Sequence, residues 1–160
     1  MEEKQSDRPG PAGQRLHDLE DGALCSDSPR SCAKKRSSDL VERLSFVLGG
    51  SGFTIVPPVS SALRAVRGLC EIHFSVCEDR IEMAIPVVRL GPDRPVTETL
   101  LKYLEGRNAS AKGPGKFSVH GDTIWYRTNL VRSDGWAEDA ASMARSMQET
   151  VEKVGPKILN

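Results

Sequence analysis

Aromatic residues are scarce in this 160-residue chain: two Trp, two Tyr and four Phe make up 5% of it, so a folded core has to be assembled mainly from aliphatic side chains. An excess of either charge is also missing. Lys+Arg and Asp+Glu both number 22, which removes the long-range attraction to phosphate backbones that nucleic-acid binding draws on. No apolar run approaches the roughly 20 residues that a membrane-spanning helix needs. The opening residues, MEEKQSDRPGPAG, hold no stretch of secretory-signal character, so a cytoplasmic location is expected. Histidine occurs only at 17, 73 and 120, and no Ser or Cys lies in the local context of a strained nucleophile elbow. No catalytic residue, cofactor site or metal site is assigned, and a non-enzymatic protein is expected.

Cys25, Cys32, Cys70 and Cys77 form two pairs with the same offset of seven. Zinc knuckles bring their thiolates together over two to four residues, so this spacing does not build one, and in a reducing compartment the four read as free thiols. Near Lys116 the sequence GPGK suggests a phosphate loop. The P-loop needs a glycine where Ser110 stands and a hydroxyl where Phe117 stands, and a helix rather than a strand should follow. Asn108-Ala109-Ser110 matches a glycosylation triplet, which has no meaning for a cytoplasmic chain.

Residues 1–36 contain no aromatic side chain and much Pro, Gly, Ser and charge, so they bury too little to offset the entropy of ordering and are expected to be a disordered tail. Within it, Leu16, Leu19 and Leu24 mark a weakly helical patch, and Lys34, Lys35 and Arg36 form a basic cluster. A single domain is expected over 37–160. Ser37 or Ser38 caps a helix over about 38–48 with the stripe Leu40, Val41, Leu44, Val47 and Leu48, and Gly49-Gly50 ends it. Phe53 to Val56 reads as a short strand stopped by Pro57-Pro58, and VSSALRAVRG over 59–68 fits one or two helical turns.

Alternation then takes over. Cys70, Ile72, Phe74 and Val76 share one face of a strand, and Ile81, Met83, Ile85 and Val87 share one face of the next, with Glu78-Asp79 turning between them. Pro86 suits a strand end or an edge. Pro95 to Gly106 reads as a helix with Leu100, Leu101 and Leu104 inward, followed by strands over 116–120 and 123–131 joined by Gly121-Asp122. Last, Trp136, Ala140, Met143, Met147, Val151, Val154 and Ile158 recur at helical spacing behind a Ser133 or Asp134 cap, with Gly155-Pro156 weakening the final turn. The expected fold is α+β: a mostly antiparallel five-stranded sheet with helices on one face, in the order α-β-β-β-α-β-β-α.

Such a sheet leaves one face without helices. Trp125 and Arg127 alternate away from the expected core face, so an aromatic can stand exposed there, with Ala84 and Val88 extending the patch and Leu101 and Leu104 on the neighbouring helix. Ala84, Val88, Leu101, Leu104, Trp125 and Arg127 are therefore the candidate partner-binding residues. The rivals are an enzyme with a dispersed site using His73, His120 or a cysteine, and a nucleic-acid module using Arg64, Arg67 and the 34–36 cluster.

The run LLKYLEGRN, a small-residue loop, GKFSVHGDTIWYRTNLV and the long terminal helix resemble the bacterial type III secretion chaperone-like fold, in particular its YbjN and Tir-chaperone branches. Leu100, Leu101, Leu104, Asn108, Phe117, Ile124 and Leu130 occupy the matching places, and the resemblance spans about 37–159. It implies a small homodimeric protein without enzymatic activity that holds a protein or peptide client, as secretion chaperones do, or acts as a regulator, the role given to YbjN-like members; no cofactor, membrane or nucleic-acid partner is expected. The balance of 15 acidic and 15 basic residues over 37–160 departs from the acidic balance usual among export chaperones.

Overall fold

The computed structural model describes residues 29–59 and 61–159. Three helices and six strands follow in the order α1 (Pro29–Gly50), β1 (Thr54–Val59), β2 (Ala62–Arg67), β3 (Cys70–Val76), β4 (Arg80–Arg89), α2 (Glu98–Ser110), β5 (Lys116–His120), β6 (Thr123–Val131) and α3 (Trp136–Leu159). All strands pair antiparallel in one sheet ordered β1-β2-β3-β4-β6-β5. The fold class is the expected α+β, with six strands rather than five.

The sixth strand is β2, where helical turns were expected. Its residues Leu63 and Ala65 are buried and Arg64 is exposed, a period of two that the small side chain of Ala65 conceals in the sequence. Gly68 at φ 62° makes the tight turn into β3. β1 also runs further than expected, to Val59, and includes both prolines. It can do so because it is an edge strand, where a missing N–H deprives no neighbour, and its register breaks between Val56 and Val59.

Helix α1 begins at Pro29, ahead of the expected cap at Ser37 or Ser38. The tail up to residue 28, including Cys25 and the 14–24 patch, lies outside the described residues. α1 and α3 pack together on one face of the sheet. Val41, Leu44 and Leu48 from α1, and Trp136, Ala137, Ala140, Ala141, Ala144 and Met147 from α3, meet Leu63, Ile72, Phe74, Ile81, Met83, Ile85, Ile124 and Tyr126 in one core. Small alanines along α3 let its backbone approach the sheet closely. Neither Ser133 nor Asp134 caps this helix through its side chain. Gly135, at φ 77°, turns the chain into it, and its carbonyl accepts the Asp139 N–H at 3.1 Å. The helix also continues through Gly155-Pro156 to Leu159, with the bare Gly155 backbone lying against Val87.

In β4 the register shifts between Pro86 and Val88, so Val87 is an extra, bulged residue and Val88 rather than Val87 enters the core. Pro86 thereby sits in an interior strand, at the bulge and beyond the β3–β4 pairs that run from His73↔Ala84 to Val76↔Ile81. On α3, Gln148 is buried and donates to the Arg67 carbonyl at 3.3 Å and to Glu152 at 2.7 Å, which ties the β2–β3 turn to the helix. Cys70 lies in the same region. Burial, with the Glu152 carboxylate adding to it, pushes its thiol up to about 11.

Candidate functional site

Apart from the bulge in β4, side chains of alternate strand positions separate onto the two faces of the sheet, and α1 and α3 occupy one of them. The other face is open. Across it a concavity of about 610 Å³ is floored by Ala84, walled by His73, Glu82 and Trp125, and reached by Arg127 and His120. No residue of the described helices lines it.

Its geometry follows from register. The pairs Arg64↔His73, His73↔Ala84, Ala84↔Arg127 and Arg127↔Lys116 form one continuous row over β2, β3, β4, β6 and β5. Ala84 is the only small residue in that row. Above it the His73 and Trp125 rings, anchored two strands apart, come edge to face with centroids 5.3 Å apart. Glu71 lies 3.0 Å from His73 Nε2 and accepts from Arg64 at 3.3 Å. Glu82 is held by Arg80 Nε at 3.0 Å.

The two edges of the sheet are closed by different means. β1 carries Pro57, Pro58 and an irregular register. At β5 the edge is met by a side chain: Asn108 of α2 donates from Nδ2 to the Phe117 carbonyl at 2.8 Å and accepts the Phe117 N–H on Oδ1 at 2.7 Å. A single carboxamide thus imitates the strand that would otherwise pair there. The loop before β5 uses its glycines for close approach. A Cβ on Gly115 would fall 2.6 Å from the Arg127 carbonyl oxygen, and one on Gly113 would collide with the Tyr126 hydroxyl. The Gly115 N–H donates to that hydroxyl at 2.9 Å, and Thr128 donates to the Pro114 carbonyl at 2.7 Å. GPGK is therefore the cover of Tyr126, with a strand after it.

The structure brings Ala84, Trp125 and Arg127 together at the concavity. It leaves the other three candidates elsewhere. Val88 is buried because the bulge turns it inward, and Leu104 is buried, 3% exposed, as the inward residue of α2. Leu101 is exposed on α2, away from the concavity. The patch expected on the open face also changes in character: most apolar strand positions are sealed under α1 and α3, and the open face mixes charge with Trp125 and Ala84. His73 and His120, placed apart in the sequence, both line the same hollow. No hydrogen bond joins Ser75 to His73 among the described residues, and no group of three His, Cys, Asp or Glu side chains there could hold a metal ion. No described helix is long and apolar enough to cross a membrane.

No protein-family model matches the chain, and no curated protein matches it in sequence. A solved structure is similar in part. It is the Yersinia pestis type III secretion chaperone SycH in complex with a stable fragment of YscM2, at 14% identity and a TM-score of 0.49, covering 73% of this chain and 98% of that one. No residue, ligand or role is carried across from it.

Proposed function

We propose that the chain is a non-enzymatic, chaperone-like adaptor that holds an extended stretch of a client polypeptide on the open face of its sheet. The observation that carries this reading is the helix-free face with its 610 Å³ hollow beside Trp125. Elimination supports it: the opposite face lies under α1 and α3, β1 is blunted by two prolines, and β5 is clamped by Asn108, so strand addition at either edge is disfavoured. Trp125 offers a large, rigid contact surface, the residue type on which binding energy concentrates.

The test is selection of peptides from a display library on the immobilised full chain, followed by binding to Ala84→Phe, which fills the floor of the hollow. Selected peptides should lose at least tenfold in affinity for the filled variant while its melting transition stays in place. Peptides that bind both proteins equally would refute the reading. Homodimerisation belongs to the same proposal, with Leu101 on α2, 42% exposed, as its contact. Sedimentation of wild type and Leu101→Asp should show a dimer lost in the variant, and a monomer in both would remove that part.

A second reading rests on the His73–Glu71 pair and on His120 lining the same hollow. A carboxylate beside an imidazole is a common setting for a general base. Thermal stabilisation by a small metabolite that disappears in His73→Ala would favour this enzyme reading over the adaptor.

A further inference from the structure

The open face holds a pair of cations for which the described residues supply no anion. Lys116 and Arg127 stand directly opposite each other on β5 and β6, an arrangement of like charges that costs a sheet stability. Neither forms an ion pair among the described residues, because the nearby acids are engaged elsewhere: Glu71 with Arg64 and His73, Glu82 with Arg80, and Asp122 with Arg89 at 2.8 Å. Arg127 reaches the hollow, and Trp125 is its neighbour on the same strand face.

We infer that this site takes an acidic segment of extended polypeptide, with two carboxylates seated on Arg127 and Lys116 and an apolar side chain against Trp125 and Ala84. The inference rests on the adaptor reading and names its client's chemistry. Spacing suits it. Neighbouring strands lie about 4.8 Å apart, and same-side residues of an extended peptide recur about every 6.7 Å, so carboxylates two positions apart reach both cations through their flexible side chains. A nucleic acid fits less well, since Glu71 and Glu82 lie on the same face and, among the described residues, two cations of that face are left to meet phosphates.

The experiment measures binding of fluorescently labelled eight-residue peptides to the full chain. One alternates Glu with Leu, and its isostere carries Gln for Glu. The acidic peptide should bind at least about fivefold more tightly, an advantage that 0.5 M salt erases and that Arg127→Ala/Lys116→Ala removes. Lys153→Ala, exposed on α3, serves as the unaffected control. Equal binding of the two peptides would overturn the inference and leave the adaptor reading standing, whereas failure of both peptides to bind would count against both. Tighter binding of a single-stranded oligonucleotide than of the acidic peptide would overturn it in favour of nucleic acid. Peptide-free self-association that vanishes in the double variant would overturn it in favour of a second copy.

Discussion

Removing the Asn108 carboxamide tests how the sheet is closed at β5. In Asn108→Ala both hydrogen bonds to Phe117, at 2.8 and 2.7 Å, are lost, and the exposed edge groups recover part of their value from water. At about 1 kcal/mol for each partly buried bond, the loss should be roughly 1–3 kcal/mol. For a folded unit of this size each kcal/mol moves the melting temperature by about 3–5 °C, so a fall of roughly 3–15 °C is expected. Asn108→Asp separates the two bonds. Its carboxylate still accepts the Phe117 N–H but turns an acceptor toward the Phe117 carbonyl, so at neutral pH it should be at least as harmful as alanine. Once protonated, the carboxyl can donate again, so the deficit of Asp relative to Ala should shrink as pH falls through its pKa. Circular-dichroism melts give the stabilities, and amide exchange at Phe117 reports the edge directly. A melt of Asn108→Ala within about 1 °C of wild type, with unchanged Phe117 protection, would refute the clamp.

Glycine positions give opposite signs. Gly115→Ala should cost about 1–3 kcal/mol in urea unfolding because its Cβ meets the Arg127 backbone, with no dependence on added phosphate, while Gly106→Ala, in open space on α2, should stabilise by about 0.5–1 kcal/mol. Leu104→Ala should cost about 2–4 kcal/mol and exposed Leu101→Ala under about 0.5, which separates the buried from the outward face of α2. Cys70 sets an alkaline limit. Its folded thiol holds its proton up to about 11 whereas the unfolded thiol releases it near 9, so its contribution is complete below about pH 9 and is lost as pH rises to about 11. Denaturation at pH 8 and pH 10.5 should show a fall of roughly 1–2 kcal/mol, discounted for solvent screening, that Cys70→Ala reduces.

Wherever one strand or helix has a polar side and an apolar side of ordinary size, the chain announced its structure. β3, β5, β6 and α3 follow the alternation or stripe visible in their residues, and the hairpin at Gly121-Asp122 follows from its turn chemistry, with Gly121 at φ 61°. β2 was hidden because Ala65 is its central core residue and Ala, Leu and Arg favour helix. Val88 was misplaced because a bulge changes parity without leaving a mark on the apolar pattern. The role of Asn108 was invisible for another reason: its partner Phe117 is a backbone group in a different element, and backbone groups carry no residue-specific signal.

The same division applies to the candidate site. Local pattern alone determined that this chain is α+β, that helices cover one sheet face, and that Trp125 and Arg127 point away from it, because side-chain direction in a strand is settled by parity. Only the tertiary structure decided which hairpins are neighbours. Strand order set β6 between β4 and β5, put Ala84 opposite Arg127, and let His73 meet Trp125 over Ala84, since distances between hairpins depend on register between segments far apart in the chain.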